Sequence, residues 1–333
     1  MPRRLDEFEI IARHFKPLAA KCEGALGLSD DAAALRVGPG RELIVTADAL
    51  VEGVHFLPND PPDLIARKML RVNLSDLAAK GAVPTVYLMT LALGPAVDEA
   101  WIAAFARGLA QDQDEFGIAL AGGDTTATPG PTTLSVTAMG EVAQGQALRR
   151  SGARAGDRVW VSGTIGDGAL GLAVARGESL GVDGDAAASL ADRYRLPRPR
   201  VTFGPRLVGV AHAAMDVSDG LVGDLRHICE ASGLGAEIEA ARVPLSAAAR
   251  AVLARAPGRL REILTGGDDY EILFTAPASR DGALAALSKE TGVALTRIGT
   301  MAAGGGVTVR DAAGGAMEMG QGGYRHFGAP TAR

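Results

Sequence analysis

The chain has 333 residues, 47% of them apolar, too long for one ordinary core and comfortable for two domains. Its 34 Lys and Arg against 39 Asp and Glu leave a formal charge of −5, with no basic run to form the footprint of a nucleic-acid binder. The N-terminal stretch MPRRLDEFEIIARHF carries charges throughout, unlike a secretory signal, and no apolar stretch approaches the roughly 18 residues of a membrane span. Cys22 and Cys229 stand far apart in no metal spacing, so the expectation is a soluble, cytoplasmic protein with reduced thiols and no membrane contact.

Helical and strand patterns alternate along the chain. Leu5 to Phe15 has helical spacing, and Glu42 to Thr46 is a short apolar strand running into Asp48. Pro61 and Pro62 open a long helix with Asp63 in its first turn, where the helix dipole favours a carboxylate. Ile65, Met69, Leu70, Leu74 and Leu77 recur at helical spacing until Gly81 ends it, so Asp76 lies on a helix. Thr85 to Leu93 reads as a strand and Asp98 to Phe116 as a second amphipathic helix. A strand over Ile118 to Ala121 is expected to end at the sequence GGD, and Thr132 to Val142 is another.

Leu148 to Asp157, polar with two glycines, reads as a linker. Beyond it a strand is expected over Arg158 to Ser162 and a helix over Asp167 to Ala175. A loose acidic loop follows over Gly177 to Ala191, then a helix over Val201 to His212, an extended Ala214 to Asp216 and a helix from Asp219 to Ala231. Tyr270 to Thr275 is a strand after GGDD, and the rest continues as helix, strand, strand. The class is α/β or α+β in two domains, 1–147 and 148–333. Ser75-Asp76 precedes Asp124 much as Ser218-Asp219 precedes Asp268, by 48 and 49 residues, which is either coincidence or the trace of two halves that each supply an acidic cluster.

The chemistry concentrates in short aspartate motifs: SDDAAAL (Ser29 to Leu35), VTADAL (Val45 to Leu50), NLSDLAAKGA (Asn73 to Ala82), AGGDTT (Ala121 to Thr126), MDVSDGL (Met215 to Leu221) and TGGDDYEILF (Thr265 to Phe274). Hard oxygen ligands beside glycine suit Mg²⁺, which takes one or two carboxylates and completes its shell with water and phosphate oxygens. Several such motifs point to several ions and a polyphosphate. Each has a plainer reading as a turn or helix cap, which accounts for one of Asp30 and Asp31 but not both. Thr46 and Asp48, two apart on a strand, project to one side. Asp216, Ser218 and Asp219 precede a helix whose N–H groups favour anions. His55 could be structural or stand beside substrate, and Arg150 could bind phosphate or face solvent equally well. Gly166-x-Gly168-x-x-Gly171 matches a dinucleotide fingerprint, yet no strand pattern follows its helix, so a phosphate-facing or packing loop is expected instead. A P-loop, a protein-kinase catalytic loop and a zinc spacing are all missing from the sequence.

In this order the motifs SDDAAAL, TADALVEGVHF, NLSDLAAKGAVP, GGDTT, RSGARAGD, SGTIGDGALGL, MDVSDGLVGDL, GGDDYEILF and GGYRHF resemble the thiamine-monophosphate kinase family over nearly the whole chain. That family belongs to the superfamily of aminoimidazole ribonucleotide synthetase. The resemblance implies a homodimer of two-domain α/β chains paired through the N-terminal sheets, with the N-terminal domain binding Mg-ATP and the C-terminal domain completing the ATP and substrate site. It implies ATP-dependent phosphorylation of thiamine monophosphate to thiamine diphosphate by in-line transfer, several Mg²⁺ ions, and no general base. Carried over by position, Asp31, Thr46, Asp48, Asp76, Asp124, Asp216 and Asp219 match metal positions. Gly123, Asp124, Arg150 and Ser218 match ATP contacts, and His55, Asp268 and Tyr324 match contacts to thiamine monophosphate.

Three positions depart from the family pattern: Ala47 where Thr or Ser is common, Ser29 where glycine is common, and Asp268 where glutamate is frequent. The alternatives are a sister enzyme with another acceptor, a non-catalytic Mg-nucleotide sensor, and a nicotinamide oxidoreductase using Gly166 to Gly171. The sister enzymes would need a reactive cysteine near the N-terminus or at the C-terminus, and Cys22 has no glycine-rich setting.

Overall fold

The protein is described by a computed structural model covering residues 6–320 and 322–324. The chain divides into two compact units, Met1–Ala147 and Leu148–Arg333.

The N-terminal unit opens with short helical turns, α1 (Glu7–Ile10) followed by π- and 3₁₀-turns to Leu28, where the sequence periodicity predicts one helix to Phe15. Four strands follow: β1 (Arg41–Val51), β2 (Val83–Leu93), β3 (Ala119–Ala127) and β4 (Thr133–Ala143), in the order β1-β4-β2-β3. Only β2 and β3 run parallel; β4 is antiparallel to both its neighbours. Two 18-residue helices, α2 (Pro62–Ala79) and α3 (Glu99–Phe116), supply the buried apolar side chains that cover one face.

Side-chain alternation along the strands fixes what each face carries. Tyr87 accepts a hydrogen bond from Gln113 of α3, so its face is the helix-covered one, and Met89, Leu91, Val136 and Ala138 share it. On the opposite face Leu43 and Val45 of edge strand β1 are exposed, at 39% and 53%. Near β3 that face is covered by the N-terminal turns, which pack Ala19, Cys22 and Ala25 on Ala119 and Ala121.

The helix pair is held by a buried ion cluster. Arg71 grips Asp112 with two hydrogen bonds of 2.7 and 2.8 Å, and Arg67 adds a third of 2.7 Å. Close approach of the helices requires glycine at 108, where a Cβ would stand 2.2 Å from the Asp63 carbonyl oxygen.

The C-terminal unit is built on a seven-stranded sheet of β5 (Arg158–Ser162), β6 (Ala213–Asp216), β7 (Gly235–Glu239), β8 (Ile272–Ala276), β9 (Leu295–Ala302), β10 (Gly306–Arg310) and β11 (Ala316–Met317). Its order is β11-β10-β7-β9-β5-β8-β6. The helices are α4 (Asp167–Ala175), α5 (Gly184–Arg195), α6 (Leu221–Ser232), α7 (Ala247–Arg255), α8 (Leu260–Thr265) and α9 (Asp281–Thr291). One core gathers α6 against the sheet through Leu225, Ile228, Val161 and Leu273, and a second joins α4, α5 and α7 through Leu170, Leu190 and Val252.

Three local expectations need correction. The loop expected over Gly177 to Ala191 contains α5, started by Asp183, whose side chain accepts from Ala186 N–H, and anchored by Leu190 and Tyr194. The helix expected over Val201 to His212 is a series of turns with one 3₁₀ segment, Gly204–Leu207, interrupted by Gly209 at φ +77°. Strand β3 does not stop at GGD but runs through it to Ala127.

Removing one partner from a buried charge cluster strands the others. Asp112→Ala is expected to destabilise the N-terminal unit by about 3–5 kcal/mol, read as a lower urea midpoint. An unchanged midpoint would show that the Arg67–Arg71–Asp112 cluster contributes little.

Candidate functional site

The N-terminal unit places its predicted residues on both faces of the sheet. On the face shared with the N-terminal turns, Asp30, Asp31 and Asp124 line one cavity of about 610 Å³ with Thr90, Ser135 and Thr137. Asp30 Oδ1 accepts from the N–H of Asp31, which holds the turn; no helix follows, so the capping explanation falls away. Asp124 pairs with Thr90 and lies within β3. The preceding Gly123 is required by proximity, since a Cβ there would stand 1.8 Å from the Met89 carbonyl oxygen.

On the helix-covered face, Thr46 Oγ1 donates to Asp76 Oδ2 at 2.5 Å. Asp48, two residues further along β1, shares that face with Thr46, as the strand period requires. His55 sits in the turn after β1, and its Nδ1 accepts from Val51 N–H at 3.0 Å, so the neutral ring carries its proton on Nε2.

The C-terminal unit collects its predicted residues around two loops that lie side by side. Strand β6 ends at the buried Asp216. Beyond it, Val217 N–H donates to Glu271 O, Tyr270 N–H to Val217 O, and Asp268 N–H to Ser218 O, extending the β6–β8 pairing into the loops. Tyr324 joins them by donating its N–H to Asp219 O at 3.0 Å, with its side chain half exposed. Asp216, Ser218, Asp219, Asp268 and Tyr324 thus belong to one neighbourhood. Asp268 and Tyr270 have left-handed backbones, φ +72° and +52°.

Two carboxylates that the sequence reading passes over build this neighbourhood. Asp224, in the first turn of α6, turns one oxygen back to accept the N–H groups of Ser218, Asp219 and Gly220, each at 3.1 Å. Burial pushes its carboxyl up to about 7, with the Asp219 charge adding, while the backbone N–H groups and the Arg150 charge pull the other way. Hence Ser218 is not the side-chain cap of α6, and the N–H groups of the loop just before that helix are held by Asp224. Asp269, the second aspartate of GGDD, is buried and accepts from Gly166 N–H at 2.8 Å and Gly168 N–H at 3.0 Å.

This second contact decides the glycine fingerprint. The amides that would cradle a pyrophosphate are held by a protein carboxylate. A Cβ at Gly166 would meet Ile263 at 2.5 Å, one at Gly168 the Asp268 oxygen at 2.3 Å, and one at Gly171 the Leu190 oxygen at 2.1 Å. The segment is a packing loop.

The echo between the two Ser-Asp and Gly-Gly-Asp pairs has no local counterpart. Asp76 lies near the end of α2 and Asp219 before α6; Asp124 is inside a strand and Asp268 in a loop before one. Among the described residues no three His, Cys, Asp or Glu side chains gather tightly enough to hold an ion by themselves. Paired carboxylates and a hydroxyl, such as Thr46 with Asp76 or Asp31 with Asp124, still fit Mg²⁺, whose remaining positions go to water and phosphate oxygens.

The family models that match are those of AIR synthase related protein, the N-terminal domain over residues 29–142 and the C-terminal domain over 154–312. A thiamine-monophosphate kinase of Caulobacter vibrioides is 45% identical over 306 residues, 91% of this chain and 86% of that one. The crystal structure of thiamine-monophosphate kinase from Stenotrophomonas maltophilia K279a is 47% identical with a TM-score of 0.78, covering 84% of this chain and 89% of that one. The structure of AaThiL complexed with AMPPCP and TMP is 31% identical with a TM-score of 0.77, covering 98% and 99%.

Burial raises the Asp269 carboxyl from 3.8 to about 8, against the pull of the Gly166 and Gly168 N–H groups. Between these values the folded chain binds more protons than the unfolded one, so this group's stabilising share is complete below the lower value and lost as pH rises through the upper. Urea midpoints should therefore lose this share as pH rises from about 4 to about 8, and lose less in Asp269→Asn. Equal losses in both proteins would remove Asp269 as the source.

Proposed function

The chain belongs to the thiamine-monophosphate kinase family of AIR synthase related proteins, and we propose that it transfers the γ-phosphoryl group of ATP to thiamine monophosphate, releasing thiamine diphosphate and ADP. The observation that carries this reading is full-length similarity, in sequence and fold, to a protein solved with AMPPCP and TMP. With no free glycine cradle at Gly166 to Gly171, nicotinamide chemistry has no support.

The acceptor explains the shape of the site. The nucleophile is a phosphate oxygen of thiamine monophosphate, whose second pKa is about 6, so it is largely dianionic at neutral pH and needs no base to remove a proton. The obstacle is repulsion between two polyanions. Bound Mg²⁺ would neutralise that charge and align the transferring phosphoryl group. Asp31, Thr46, Asp48, Asp76 and Asp124 of the N-terminal unit, and Asp216 and Asp219 of the C-terminal unit, are the residues that would hold the ions. Gly123, Asp124, Ser218 and Arg150 serve ATP, with Arg150 supplying positive charge beside the 218–224 loop. His55, Asp268 and Tyr324 serve thiamine monophosphate; the Tyr324 ring offers an aromatic face to a flat heterocycle.

Assembly and location follow from two surfaces. The exposed apolar side chains Leu43 and Val45, with Ala47 and Ala49 on the same face of edge strand β1, suit pairing of two chains through their sheets as a homodimer. Cys22 and Cys229 are buried free thiols, which suits a reducing cytoplasm. Among the described residues no helix is long and apolar enough to cross a membrane.

Incubation with ATP and Mg²⁺, followed by chromatography, should give thiamine diphosphate from thiamine monophosphate and none from thiamine. ATP binding without product would point to a sensor or a sister enzyme. Asp48→Ala and Asp124→Ala should each lower turnover by about a hundredfold or more with unfolding midpoints retained. Near-normal rates at saturating Mg²⁺ would remove those two residues from the metal set.

A further inference from the structure

The loop from Gly266 to Glu271 is more constrained than a loop on a rigid sheet needs to be. Only four non-glycine residues among those described have left-handed backbones, and two of them, Asp268 and Tyr270, flank Asp269. Such conformations are costly for residues with a Cβ and persist when their surroundings over-determine them.

Those surroundings are visible here. Asp268 N–H and Tyr270 N–H are tied to the Ser218 and Val217 carbonyls. A Cβ at Gly267 would stand 2.1 Å from the Ser218 oxygen, so the two loops touch. Between the two left-handed residues, the Asp269 carboxylate is anchored to Gly166 and Gly168 N–H. The following Glu271 is fully buried; it accepts from Ser162, Arg193 and Arg200, with the Ser162 bond at 2.6 Å. The kinked backbone lets the Tyr270 side chain fold back so that its hydroxyl donates to Asp268 Oδ1 at 3.0 Å.

We propose that Tyr270 is a positioning residue for the acceptor: its hydroxyl, set by the left-handed kink that Asp269 clamps, fixes the Asp268 carboxylate so that it meets the positively charged or N–H-bearing part of thiamine monophosphate. This rests on the reading of Asp268 as a substrate contact. A carboxylate repels the phosphate of that substrate, so its attraction is to the thiazolium cation or the amino group of the pyrimidine. Aspartate has few rotamers, and a hydroxyl holding one oxygen removes much of the freedom that remains. The orienting bond costs nothing to form on binding because it already exists in the free chain.

The experiment is steady-state kinetics on the full chain with Mg-ATP and thiamine monophosphate, comparing wild type, Tyr270→Phe, Asp268→Ala and the double variant. Tyr270→Phe keeps the ring and removes one hydrogen bond to a charged group. It should raise KM for thiamine monophosphate about tenfold and leave KM for Mg-ATP within about twofold. In the Asp268→Ala background the same change should cost nothing further, because the hydroxyl then has no carboxylate to hold. Asp269→Asn, which presents an amide N–H₂ to one of two N–H donors, should raise the same KM while the ATP constant stays. An unchanged KM for thiamine monophosphate in an active Tyr270→Phe, a parallel rise in both KM values, or equal losses in both backgrounds would overturn the proposal. Wild-type protein that forms no thiamine diphosphate would instead overturn the proposed activity itself.

Discussion

Buried carboxylates that accept backbone N–H groups are the interaction on which the candidate site residues of the C-terminal unit depend. Asp224 gathers three consecutive amides of the 218–220 loop on one oxygen, and Asp269 gathers two from the 166–168 loop. Loops rich in glycine and aspartate would otherwise be mobile and mutually repulsive. Satisfying their amides from within removes the cost of burying those donors and fixes where the outer carboxylates stand. The raised affinity of Asp224 and Asp269 for protons is the other side of that arrangement: both pay for burial, and the amides return part of the cost.

The N-terminal unit solves a different problem. Its sheet is stiffened from one side by α2 and α3, locked together through Arg71 and Asp112, and this leaves the strands free to carry polar groups without loosening. Thr46 reaches Asp76 across the strand–helix interface, while Asp31 and Asp124 share a cavity on the opposite face. Carboxylates separated by a sheet repel one another less than if they were crowded into one ring, and each small group remains a partial coordination shell.

Much of this was readable in the chain. The first long helix announced itself through Pro62 at the start, apolar spacing, and Gly81 at the end. The pairing of Thr46 with Asp48 on one face followed from the two-residue period. Boundaries failed where tertiary contact outweighed local pattern. GGD at 122–124 looks like a turn, yet the close passage of Met89 draws both glycines into β3. The acidic stretch before Leu190 hides α5 because its apolar stripe is short and its start is glycine-rich. Asp224 and Asp269 stood inside recognised motifs but were silent, because a buried carboxylate serving amides leaves no sequence spacing of its own. What named them was the distance to residues about 100 positions away in one case and one helical turn away in the other.

The packing of α4 has an implication for how glycine signatures are interpreted. A helix start with open amides attracts an oxygen acceptor, and this chain furnishes one itself, from the buried carboxyl of Asp269. The loop is then an internal ligand complex, with the protein as both host and guest. In this strand–glycine–helix segment a carboxyl from a distant loop occupies the amides, and the three glycines report close packing against Ile263, Asp268 and Leu190 rather than room for a nucleotide.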